Sequence, residues 1–285
     1  MLFFTHILDF KRALLRRLKN QRKQERHRVG SLFPLKATIT LAGDDGSGRS
    51  GAAGRSPGCE WSGRVIDVSP NGLSMVLPLA AATARHEHTT VRITIEGLEL
   101  AIPSSIAHFG AHQAHAVCGL RLQFADLAGQ KAWQQIVEAV SLGARFTPVG
   151  ARRVPRVAQG LSRFQWNSIK RTRLVEWREA GGRKVARFEL TLADHYFSGH
   201  GDGLPLEIRR KTGGDVTTPE KEADLRRLFL WVAANLPPSA PVDLRDFMIR
   251  SVAPREARAA PRRRADAANP PSIWTAPLRP TRSPA

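Results

Sequence analysis

The run Gly63-Arg64-Val65-Ile66-Asp67-Val68-Ser69-Pro70-Asn71-Gly72-Leu73-Ser74-Met75 constrains the fold more than any other stretch of the chain. It reads as a strand, a tight turn and the start of a second strand. Asp67 and Ser69 lie two residues apart, so the strand repeat sets both side chains on one face. Ser69-Pro70-Asn71-Gly72 fits a type I turn: Ser opens it, Pro presets the first central dihedral, and Gly72 stands where a positive φ is expected. A carboxylate and a hydroxyl beside a sharp bend form a fixed polar edge, suited to a flat, hydrogen-bonding ligand. The same string also serves as ordinary hairpin chemistry, so its neighbours have to decide.

Upstream stands Gln21-Arg22-Lys23-Gln24-Glu25-Arg26-His27-Arg28-Val29, and residues 33–41 after it read as a first strand. An R-x-x-x-R pair before one strand, then D-x-S-x-x-G on the next, resembles the PilZ family of bacterial cyclic di-GMP receptors. The resemblance covers roughly residues 22–143. It implies a small antiparallel β-barrel closed by a helix, with Arg22 and Arg26 as the arginine pair and Asp67, Ser69 and Gly72 as the second motif. Counted back from Pro34, Arg28 also fits the place of the second arginine, and both stay candidates. The residue types suit that ligand. An arginine fork pairs with phosphate oxygens or guanine O6 and N7, and its flat face stacks on a base. Asp67 can accept from guanine N–H groups, Ser69 can donate or accept beside it, and Gly72 keeps a Cβ out of the ligand's way.

At 285 residues the chain has room for two domains, taking about 100–200 residues each. Its net charge of +19 and pI near 11.4 favour anionic partners: a phosphorylated ligand, nucleic acid or an anionic membrane. Two cysteines, Cys59 and Cys118, argue against a disulfide scaffold and fit a reducing cytoplasm. No apolar run approaches the roughly 20 residues that span a bilayer. The first residues lack a basic n-region and Asp9 interrupts them, so no secretory signal is expected.

Residues 1–20 carry Phe3, Ile7, Phe10 and Leu14 at helical spacing, with Lys11, Arg12, Arg16, Arg17 and Lys19 as a basic face. This amphipathic helix either lies on an anionic membrane or a partner, or packs on the chain's own barrel. Residues 43–58 are a Gly- and Ser-rich flexible insertion within a barrel expected over 21–143. Gly46-Ser47-Gly48 lacks the Gly-Lys-Ser/Thr and helix of a phosphate loop. Strands are expected over 64–68, 73–77, 91–95, 98–107 and 117–124, then a helix over 126–142 with Trp133, Ile136, Val137 and Val140 on one stripe. His108, His112, His115 and Cys118 match no zinc spacing, and no metal site is expected.

Residues 144–171 read as a basic linker, and Arg152 and Arg156 repeat the R-x-x-x-R spacing without a second D-x-S-x-x-G. A small α+β module is expected over 172–253, with a hairpin of 172–180 and 184–193 around Gly181-Gly182 and a strand at 204–210. A helix follows over 219–236, with Pro219, Glu220 and Glu222 in its first turn. Residues 242–252 fit strand or helix. Residues 254–285 are an Ala-, Pro- and Arg-rich disordered tail.

The expected fold is mainly β with flanking helices, α+β overall: a PilZ-like antiparallel barrel followed by a small α+β module. The expected function is a non-enzymatic cyclic di-GMP receptor without a cofactor, cytoplasmic or peripheral to the membrane, signalling to an unidentified protein partner. The competing reading is a basic binder of nucleic acid or anionic membrane on a barrel that no longer takes the nucleotide. Charge alone supports it, because the aromatics are not interleaved with the basic clusters as stacking platforms would be.

Overall fold

The computed structural model describes residues 25–41, 59–81, 86–150, 160–169, 171–179, 184–201, 204–211 and 218–252. The expected N-terminal helix, Arg22, the insertion at 43–58, the Arg152/Arg156 pair and the C-terminal tail lie outside them.

Six strands close into an antiparallel barrel: β2 (Lys36–Leu41), β3 (Cys59–Ser69), β4 (Gly72–Leu77), β5 (His88–Ile95), β6 (Leu98–Ala111) and β7 (Ala116–Leu122). The order β3-β2-β5-β6-β7-β4 returns to β3 through the β3–β4 pairing. Closure follows from alternation. Ala37, Ile39 and Leu41 of β2 and Val91, Ile93 and Ile95 of β5 point inward and are buried, while their neighbours face water. Within the barrel, the 11-residue β3 serves β2 along Cys59–Arg64 and β4 along Arg64–Ser69. A register shift between Val65 and Asp67 marks a bulge that bends it round the corner. The β5–β6 hairpin turns on Glu96 and Gly97, both at positive φ (44° and 83°), as a two-residue hairpin of the primed type demands.

A two-residue strand, β1 (His27–Arg28), pairs with the free edge of β3 beyond β2. Its register, His27 with Val68 and Arg28 with Asp67, runs on in line with that of β2, where Lys36 meets Arg64. β1 and β2 are thus one edge interrupted by an excursion over 29–35.

Helix α1 (Leu127–Ala144) plugs one end of the barrel. Asp126 caps it by accepting from the Gly129 amide at 2.6 Å, and the fully buried Trp133 donates its indole N–H to the Ser69 carbonyl at 3.0 Å.

The second half is an open antiparallel meander: β8 (Thr147–Pro148), β9 (Ser162–Asn167), β10 (Arg173–Arg178), β11 (Val185–Leu192), β12 (His195–His200) and β13 (Glu207–Arg210). The stretch expected as a linker at 144–171 is therefore corrected. It supplies β8 and β9, because Trp166 is buried in the core although arginine dominates the local composition. One face of the sheet is covered by α2 (Pro219–Ala234) and α3 (Val242–Val252), the second resolving the strand-or-helix ambiguity. Phe229 stacks between Phe188 and Phe197 at 5.6 and 5.4 Å, and Phe247 meets Phe188 edge-on. A buried polar network ties sheet to helix. The Trp166 indole and the Arg178 guanidinium both donate to Glu176, and Arg178 forks onto Asp243 of α3 at 2.7 and 3.0 Å. Burial raises the Glu176 carboxyl while Arg178 opposes that rise, and Arg178 holds Asp243 below its ordinary range.

The two halves share one hydrophobic core. Ser168 donates to the Leu142 carbonyl of α1, and Trp231 of α2 donates to Glu96 at the β5–β6 tip at 3.0 Å. No helix of the described residues is long and apolar enough to cross a membrane.

Candidate functional site

The candidate residues meet where β1 joins the barrel. Directly paired residues of an antiparallel ladder project to the same side. Arg28 therefore shares the outer face with Asp67, and Arg26, two residues earlier, shares it too. His27 and Val68, the alternate pair, turn into the barrel and are buried. Burial lowers the His27 pKa, which keeps the imidazole neutral at the joint.

Arg26 places Nη1 3.8 Å from Asp67 Oδ1 and donates to Ser74 Oγ at 3.4 Å. Its side chain is 59% exposed and that of Asp67 25%, so the pair contributes at most about 1 kcal/mol. Such a contact sets direction without locking the arginine away from a ligand. Arg28 is exposed and holds no side-chain partner among the described residues. Lys36 and Arg64, paired and exposed on the neighbouring strands, add positive charge to the same side of the barrel. Both candidate second arginines thus lie on one face with Asp67.

Ser69 and Gly72 stand differently from expectation. Ser69 is buried, and its hydroxyl donates to the Gly72 carbonyl at 3.2 Å across the turn. Among the described glycines only Gly97 and Gly160 take positive φ, so the left-handed conformation expected at Gly72 is corrected. What demands glycine there is a close backbone approach: a Cβ would sit 2.6 Å from the Leu120 carbonyl oxygen of β7. Gly72 thus lets β4 and β7 approach closely at the barrel seam.

Three residues of this face escape sequence reasoning. Ser74 pairs with Asp67 across β3–β4 and is the partner of Arg26. Gly119 of β7 pairs with Ser74 and with His108 of β6, whose imidazole lies over it so closely that a Cβ would clash at 1.9 Å. Arg121 pairs with Gly72 and Ser105 and is exposed. Alternation from the turn marks Ser74, since 72 and 74 share a face. The other two depend on the β4–β7 pairing of strands distant in sequence.

The histidine–cysteine group separates. The rings of His112 and His115 are 5.3 Å apart at the β6–β7 tip, whereas Cys118 is buried and its thiol is pushed up to about 12, mainly by burial. Among the described residues no three His, Cys, Asp or Glu side chains gather as a metal site.

Residues 20–141 match the family model described as the PilZ domain. None of the curated proteins matches the chain. Among solved structures, the chain is similar to the PilZ domain with c-di-GMP of YcgR from Escherichia coli. The match has 11% identity and a TM-score of 0.32, over 42% of this chain and 90% of that one. YcgR from Escherichia coli in complex with c-di-GMP also matches, at 11% identity and a TM-score of 0.31. There the match spans 42% of this chain and just under half, 46%, of that one.

Proposed function

We propose that the chain is a receptor for cyclic di-GMP, because residues 20–141 match the family model described as the PilZ domain. The observation that supports this most is the β1–β3 register, which sets Arg26, Arg28 and Asp67 on one exposed face. PilZ domains are ligand-binding receptors rather than enzymes, and the face suits recognition. The arginine forks meet phosphates or guanine edges, and the Asp67 carboxylate takes guanine N–H donors. Arg22, outside the described residues, completes the arginine pair of the motif. Ser69 and Gly72 serve the ligand by fixing the turn from which Asp67 projects. Arg121 and His108 extend the polar face toward the ligand's second half.

In this reading the nucleotide clamps the segment around residues 22–28 onto the barrel. That ordering changes the surface offered to a protein partner in the cytoplasm, and the basic residues before it allow peripheral contact with an anionic membrane. Isothermal titration of the full chain with cyclic di-GMP tests the reading. Saturable heat in the micromolar range or tighter supports it; folded protein giving no heat at high micromolar ligand sinks it.

A further inference from the structure

The two-residue β1 carries Arg28 and follows directly on Arg26, yet its ladder is too short to hold itself. It adds the pairs of His27 and Arg28 and one further bond, from the Val29 amide to the Ile66 carbonyl at 3.0 Å. Fixing one backbone residue costs about 1–2 kcal/mol, so the segment needs anchors beyond the barrel edge. At its start, Glu25 pairs with Arg145 just past α1. At its other end, the excursion over 29–35 leaves the barrel and plugs into the C-terminal half.

The plug is specific. The Gly30 backbone amide donates to Asn235 Oδ1 at 2.8 Å, and Asn235 Nδ2 donates to the Trp231 carbonyl at 2.8 Å. Asn235 is 2% exposed. A Cβ on Gly30 would lie 2.1 Å from the Ala234 carbonyl oxygen, so the excursion touches the end of α2 backbone to backbone. Gly143 of α1 is shaped around the same place: a Cβ there would meet the Val232 carbonyl oxygen at 2.5 Å and Asn235 Cβ at 2.8 Å. Phe33, at the end of a turn closed by its amide on the Gly30 carbonyl, is buried edge-on against Trp231 at 6.0 Å.

We infer that the C-terminal end of α2 is a built-in part of the nucleotide site, with Asn235 as a positioning residue that sets the register of β1. Resting on the receptor reading above, this makes the C-terminal half neither a passenger nor a separately hinged output. It preorganises Arg26 and Arg28 opposite Asp67, so that less ordering is left for the ligand to drive. Coupling of this kind is reciprocal. Nucleotide on the arginines must tighten the Gly30–Asn235 contact and the last turn of α2, although Asn235 never touches it.

The test uses the full chain and cyclic di-GMP, with Asn235→Ala and Gly30→Ala approaching the contact from its two sides. Each is expected to weaken binding about tenfold, the loss of one buried hydrogen bond with the strap displaced. Hydrogen exchange gives a readout that a merely structural role would not move. Saturating nucleotide is expected to slow exchange at residues 29–33 and 231–236 of the wild type and to lose that effect in both variants. Should Asn235→Ala unfold the C-terminal half, Gly30→Ala still decides, since its methyl group pushes the excursion off the end of α2 while the Asn235–Trp231 hydrogen bond stays. Variants that bind as tightly as wild type, or α2 amides indifferent to ligand, overturn the inference while leaving the receptor reading intact. A folded wild type that binds no nucleotide overturns both.

Discussion

The barrel and the C-terminal sheet are both antiparallel, yet they dispose of their polar side chains in opposite ways. The barrel lines its interior mainly with Ala, Val, Ile, Leu and Met, admits His27 at the β1 joint, and sends Arg26, Arg28, Asp67 and Arg121 outward. The open sheet buries Glu176, Arg178 and His195 beneath its helices. Closure explains part of the contrast. A six-stranded barrel capped by α1 holds its cap with a single buried hydrogen bond from Trp133 to the Ser69 carbonyl, whereas an open sheet must fix the angle of each covering helix. Arg178 does so for α3 through Asp243. The polar residues of the two halves therefore serve different ends. Outward ones in the barrel are free to meet a ligand, and inward ones in the second sheet fix geometry.

The sharpest way to break this division is Arg178→Ala. It leaves Glu176, 2% exposed, without its cation, and removing one partner of a buried pair costs about 3–5 kcal/mol. Chemical denaturation of the variant should show that loss. A loss below about 1 kcal/mol would mean that water or a rearranged neighbour replaces the guanidinium. Next comes Asp67→Ala. A hydrogen bond to a charged group is worth about 1.5–3 kcal/mol, so the variant should bind cyclic di-GMP roughly 10–100-fold more weakly by titration. Its melting temperature should barely move, since the Arg26 contact it removes is exposed.

Histidine gives a third, smaller test. His27 in the barrel and His195 in the second sheet are both buried with lowered pKa, mainly through burial, with Lys221, Arg210 and Lys211 adding to it at His195 against Asp194. Both His195 ring nitrogens lack hydrogen-bond partners among the described residues. The unfolded chain takes up these protons at about pH 6.5 and the folded chain only below it, so protonation favours unfolding. Stability is full above about pH 6.5 and falls as the pH drops through and below it. Melting temperatures between about pH 7 and pH 5 should show the fall, and His195→Gln should flatten it.

Legibility in the sequence followed the same division. Barrel strands with strict alternation, such as Val91, Ile93 and Ile95, announce themselves, and so does the Asp67 turn. β9 hides because Arg163, Gln165 and Asn167 surround the one buried Trp166. β12 hides because its inward side is His195, Phe197 and Gly199; a Cβ on Gly199 would strike the Phe188 ring at 2.4 Å. No local rule predicts a glycine chosen for a ring brought from another strand. The extra site residues fail for a related reason. Ser74 is reached by counting along one hairpin, but Arg121 enters through β7, and Gly30 meets Asn235 across 205 positions. Contacts of that reach leave no periodic trace.

Ser69 lies on the border of the division and gives the smallest and most discriminating test. It belongs to the barrel motif, yet it is buried, and its hydroxyl is engaged with the Gly72 carbonyl. Its backbone carbonyl, not its side chain, receives Trp133, so Ser69→Ala leaves the helix plug in place. The lost turn hydrogen bond should cost about 1 kcal/mol of stability. If Ser69 acts by shaping the turn, nucleotide affinity falls by no more than that, roughly fivefold or less. If affinity falls well beyond the stability loss, the hydroxyl leaves Gly72 to meet the ligand directly. Ser69 would then stand with the outward residues, and the division would run through the turn rather than along the barrel wall.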